Sequence, residues 1–169
     1  MVDYMSLEEQ VDVDFGRARR QAFFGSLKTR FVGGRDRLLS FDEVRRALGA
    51  DNRGADNRFY LGRKVVEVSK IVGSVGRHGE FDPNFMPAKS SLSYKWKRID
   101  RALRRGVELP AVSLYKLGDA YFVVDGNHRV SVSRYQGIEM IDAEVTEFGA
   151  RSSSAGLLKV PDLELAVAC

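Results

Sequence analysis

The five residues Asp125-Gly126-Asn127-His128-Arg129 hold the combination in this sequence best suited to chemistry. They end the apolar run at 121–124 and open the segment NHRVSVSRYQG, which closes on Gly137 as a helix would. A strand that stops at Asp-Gly and hands over to a helix gathers unpaired backbone N–H groups and the positive end of the helix dipole at one point, a setting that holds phosphates. Gly126 can adopt backbone angles closed to other residues and lets a ligand approach the main chain. Arg129 offers a forked donor, and His128, one of two histidines, can give or take a proton. The competing reading is a plain turn in which Asp125 caps the helix and Arg129 faces solvent.

Charge gives a second signal. The net charge of +4 is mild, but thirteen Lys and Arg lie between Arg17 and Lys64 against five acids, with Arg17, Arg19, Arg20, Lys28 and Arg30 at the start. A second cluster, Lys95, Lys97, Arg98, Arg101, Arg104 and Arg105, fills YKWKRIDRALRRG. Such clusters suit polyanions, here DNA contacted through its phosphates by the first cluster; the bland alternative is a solvated helix face.

Several elements must position these groups. Residues 15–31 read as an amphipathic helix, with Phe24, Leu27 and Phe31 recurring at spacings of three and four. SFDEVRRALG predicts a second helix, Ser40 as N-cap, Glu43 completing a capping box and Gly49 at the end. ADNRGADNR is a polar linker, so residues 1–58 form a basic helical arm, 59–148 the main domain and 149–169 a tail. In the main domain KVVEVSKIVGSV predicts one strand, and GRHGEFDPNFMP a loop. SLSYKWKRIDRALRRG predicts a helix whose Leu92, Trp96, Ile99 and Leu103 face the core, and LPAVSLYKLGDAYFVVDG a hairpin. NHRVSVSRYQG is a helix and IEMIDAEVTEF the last strand. The order strand, helix, hairpin, helix, strand specifies an α/β (α+β) class with a small mixed sheet. Phe23, Phe24 and Phe31 must pack somewhere, on the body or on a second copy, which implies a homodimer.

At 169 residues the chain is long enough for a proper core, and no apolar run approaches the roughly 20 residues of a membrane span. The acidic start MVDYMSLEEQVDVDF lacks the apolar stretch of a signal peptide. A single cysteine, Cys169, excludes an intramolecular disulfide and paired-cysteine metal sites. A cytoplasmic location is the expectation.

YFVVDGNHRVSVSRYQGIEMIDAEVTEF, with LPAVSLYKLGD and VVEVSKIVGSVGR upstream, resembles the ParB/sulfiredoxin superfamily over roughly residues 62–148. In that superfamily a strand ends in a Gly-x-His-Arg or Gly-x-Arg-Arg turn that binds nucleotide phosphates. The resemblance implies that Gly126, Asn127, His128 and Arg129 hold the phosphates of ATP or CTP. It matches Arg77 and Ser74 to an early loop, and Lys95 or Lys97 to a phosphate-facing lysine. Sulfiredoxins carry a catalytic cysteine where this chain has Asn127, which removes that activity. ParB-like free serine kinases carry an Asp-Gly-His-His-Arg turn, so Asp125 would serve as base or Mg2+ ligand beside His128. Their loop glutamate falls at Val75 here, which leaves Glu80 as the substitute acid. Partition proteins add a helix-turn-helix, for which the roughly twenty residues after Phe148 are too few. The resemblance therefore implies a nucleotide-binding protein, DNA-associated or regulatory, with nucleotide hydrolysis as an added activity. The alternatives are an amino-acid kinase and a non-enzymatic interaction module.

Overall fold

In the computed structural model, which describes residues 5–48 and 58–149, the chain forms a mixed α/β fold around a six-stranded sheet. The elements are α1 (Leu7–Val32), β1 (Leu39–Ser40), α2 (Phe41–Ala47), β2 (Arg58–Glu67), β3 (Ile71–Ser74), α3 (Ser93–Arg104), β4 (Val112–Leu117), β5 (Ala120–Asp125), α4 (Asn127–Tyr135) and β6 (Met140–Phe148). The strand order is β1-β3-β5-β4-β6-β2. β4 and β5 form the expected antiparallel hairpin; β1, β3 and β5 run parallel, as do β4 and β6, and β2 closes the far edge antiparallel to β6.

Alternation along the strands sends side chains to two cores. Ala120 and Phe122 face one side, where α2 inserts Phe41 among the rings of Tyr115, Phe122 and Phe148 at centroid distances of 5.1, 5.3 and 5.0 Å. Val112, Leu114, Val123, Ala143 and Val145 face the other side, where α4 lays Val130 against them. α4 is wedged in so deeply that its opposite side is buried too: Val132 joins Phe15, Ala18, Ala22, Met86 and Trp96 in a third cluster between α1, α3 and α4. Trp96 is a core residue, as its spacing implies, and its indole N–H donates to Ser131 Oγ at 2.9 Å.

The segment expected as one strand over 64–75 is two strands divided by a 3-10 turn at Val68–Lys70. The turn exists because Arg134, on α4, donates to the carbonyls of Val68 and Ile71 at 2.9 and 2.8 Å, taking acceptors that a continuing ladder would have used. The first helix starts at Leu7 rather than near residue 15. Ser6 and Glu9 make a reciprocal capping box there, each bonding the other's backbone N–H. Its buried positions are Val11, Asp14, Phe15, Ala18 and Ala22, whereas Phe23, Phe24 and Phe31 are 58%, 64% and 87% exposed. Ser40 is the N-cap of α2 but its side chain makes no capping bond, and Glu43 pairs with Arg37 at 3.2 Å instead of completing the box. Gly49 and the linker before Arg58 lie outside the described residues, as does the tail beyond Gly149. The segment expected as a separate arm supplies an edge strand and a packed helix: β1 pairs with β3, and α1 lies on α3.

Candidate functional site

β5 ends at Asp125, and Gly126, at φ 106°, turns the chain into α4. A Cβ there would lie 2.6 Å from Val112 Cγ1, so glycine is required twice over, by the left-handed backbone and by the close approach of β4. The first helical bond runs from Val130 N–H to the Gly126 carbonyl, which leaves the amides of residues 127–129 without helical acceptors. An open groove of about 720 Å³ starts at this turn. Arg77 enters it from the loop after β3, Lys95 and Arg98 from α3, and residues 107–111 form an apolar wall with Glu108 on it.

The turn places its polar groups unevenly. His128 is 9% exposed, and neither ring nitrogen has a protein partner; its ring stands edge-on to Phe81 at 5.5 Å. Burial, helped by the charges of Arg77 and Lys95 and opposed by Glu80, lowers the His128 pKa to about 4, so the imidazole is neutral at pH 7. Asn127 is also buried, with Oδ1 unpartnered. Arg129 does not present its fork to the groove. Its Nη1 donates to the carbonyls of Pro110 and Ala111 at 2.6 and 2.8 Å, and its Nη2 to Asp125 at 2.5 Å. This arginine braces the turn against the segment leading into β4.

Of the expected site residues, the fold brings Arg77, Lys95, Asp125, Gly126, Asn127, His128 and Arg129 to one groove. Three others do not line it. Ser74 is fully buried, donating to the Val123 carbonyl and accepting from the Arg77 amide, both at 3.2 Å; it shapes the loop that carries Arg77. Glu80 is held by Arg77 at 2.9 Å. Lys97 turns to α1, pairing with Asp12 at 2.7 Å and lying over the Phe15 ring. Arg98 and Glu108 were missed. Spacing holds the signal for Arg98: three residues from Lys95 on a helix, it shares that face, whereas Lys97 cannot. Asp125, the expected metal ligand, has a carboxylate 77% exposed and paired with Arg129. Among the described residues no group of three or more His, Cys, Asp or Glu is placed to hold a metal ion.

The two faces of α3 divide the basic cluster. Lys95 and Arg98 remain for the groove, while Lys97, Arg101 and Arg104 pair with Asp12, Glu8 and Asp14 of α1. Arg104 also pairs with the fully buried Asp100, which accepts from Gln136 at 2.6 Å; Tyr135 donates to Asp14 at 2.8 Å. Arg17, Arg19, Arg20, Lys28 and Arg30, the expected DNA contacts, are exposed along α1 away from the groove. Among the described residues no helix is long and apolar enough to cross a membrane. No protein-family model, curated protein or solved structure matches the chain.

Proposed function

We propose that the groove binds the phosphates of a nucleotide, ATP or CTP, as the resemblance of residues 62–148 to the ParB/sulfiredoxin superfamily implies. The observation that carries this reading is His128, a buried imidazole with both nitrogens unpartnered, in a groove that Arg77, Lys95 and Arg98 make cationic. A buried polar group without a partner costs about 1–3 kcal/mol, which a ligand bonding to it would offset. Phosphate oxygens would accept from the free amides of residues 127–129 and from the three cations. The apolar wall at 107–111 offers the base a dry surface. Mg2+ would arrive on the phosphates, with Asp125 and Glu108 as the carboxylates beside it. A nucleotide-dependent regulatory protein associated with DNA is the wider role this fits.

Calorimetric titration with ATP, CTP and inorganic phosphate, with and without Mg2+, tests the reading. Lys95→Ala and Arg98→Ala should each weaken binding about ten- to hundredfold, the value of a charge-assisted phosphate contact. Absence of binding at millimolar nucleotide overturns it. A second reading, phosphoryl transfer to a small molecule, draws on the position of Asp125 at the groove with its carboxylate open to solvent. Asp125→Asn should then abolish turnover while binding survives.

A further inference from the structure

The outward face of α1 has no role in the groove, and its composition is unusual. From residue 15 to residue 35 the chain has no Asp or Glu, while Arg19, Arg20, Lys28 and Arg30 project from the helix without a carboxylate partner among the described residues. Phe23, Phe24 and Phe31 are exposed on the same stretch, with Phe23 and Phe24 edge to face at 5.8 Å. The acids of the first turns, Glu8, Asp12 and Asp14, are consumed by α3. The second half of the helix therefore carries uncompensated positive charge and bare rings together.

The arrangement selects among partners. At 3.6 residues per turn, Phe23, Leu27 and Phe31 follow one line, Arg20 falls between that line and Phe24, and Arg30 falls beside Phe23. Cations thus lie inside the aromatic stripe, not on the opposite side of the helix. A bilayer or an apolar protein groove would have to bury those guanidinium groups, at a cost opposing insertion. A second copy of this face would bring like charges together with no acid between them. Duplex nucleic acid satisfies the cations but keeps its base faces stacked away from the rings. A single strand offers phosphates and unstacked base faces side by side, and Phe23 to Phe31 spans about 12 Å of helix along which both can be met.

We propose that this face of α1 binds single-stranded nucleic acid, with Phe23, Phe24 and Phe31 stacking on bases and Arg19, Arg20, Lys28 and Arg30 contacting phosphates. The site stands independently of nucleotide binding in the groove. The test is fluorescence anisotropy of the full chain with a labelled oligothymidine strand and a duplex of the same length, over a range of salt. The strand should bind more tightly than the duplex, with a log–log salt slope of about −3 for four phosphates neutralised. Phe24→Ala and Phe31→Ala should each cost at least about fivefold in affinity for the strand, with the circular dichroism spectrum unchanged. No binding at low salt overturns the proposal. So does duplex binding equal to that of the strand and indifferent to the phenylalanine substitutions. Sedimentation with phosphatidylserine vesicles that needs those rings, without oligothymidine binding, would assign the face to lipid instead.

Discussion

Replacing His128 with glutamine should remove a pH dependence of stability that the buried imidazole creates. The folded chain holds this group neutral down to about pH 4, whereas the unfolded chain protonates it at its ordinary value of 6.5. Between those values the unfolded state binds the proton that the folded state refuses, so stability is full above pH 7 and falls as pH drops through 6.5. At 1.36 kcal/mol per pH unit the whole effect is about 3 kcal/mol, of which about 2 kcal/mol is lost by pH 5. Asp82 and Asp100, whose burial raises their carboxyl pKa values, act with the opposite sign and are common to both proteins. The difference between wild type and His128→Gln therefore isolates the imidazole. Urea unfolding followed by Trp96, the single tryptophan, at pH 7.5 and 5.0 gives the four free energies. The variant should gain about 2 kcal/mol on wild type between the two pH values. A difference that does not change with pH would refute a buried neutral His128. Saturating ATP should flatten the wild-type slope, because a bound anion favours the protonated ring.

Arg129→Ala should lower stability by about 2 kcal/mol or more, since it strips the partners from two carbonyls and one carboxylate. Arg129→Lys should not restore it, because an ammonium cannot span that fork; urea midpoints measure both, and unchanged stability would return Arg129 to a purely ligand-facing role. Gly126→Ala should cost about 1–3 kcal/mol from backbone angle alone, plus the clash with Val112, whereas Gly16→Ala, with open space around it on α1, should gain up to about 1 kcal/mol in the same assay.

The hairpin, α4 and the Asp-Gly junction were legible because each is written in local chemistry: alternation, a turn dipeptide, a glycine at either end of a helix. The division of the 64–75 strand was not, because its cause, Arg134, lies more than sixty residues away in sequence. Exposed Phe23, Phe24 and Phe31 were misleading for a different reason. Periodicity finds an apolar stripe without saying whether anything covers it, and the covered side of α1 is a different stripe, Val11, Asp14, Phe15, Ala18 and Ala22, in which a carboxylate and two alanines weaken the apolar signal. The bonds of Arg129 to the carbonyls of Pro110 and Ala111 were not legible, because its type and place suit phosphate equally well and only the fold brings those carbonyls near.

The short corner at Val68–Lys70 also dictates the curvature of the sheet. β2 and β3 stand four places apart in the strand order, about 19 Å if the sheet were flat. Yet only three residues separate Glu67 from Ile71, a link of four Cα steps that spans at most about 14 Å. The ends of β2 and β3 must bend toward each other, making a trough closed on one side by backbone alone. α4 occupies that trough, and Arg134 ties the bend to it from within. The helix that opens at the Asp-Gly turn is thereby wedged into the curl, and displacing Asn127 and His128 along the α4 axis would pull on the Val68 and Ile71 carbonyls that Arg134 holds.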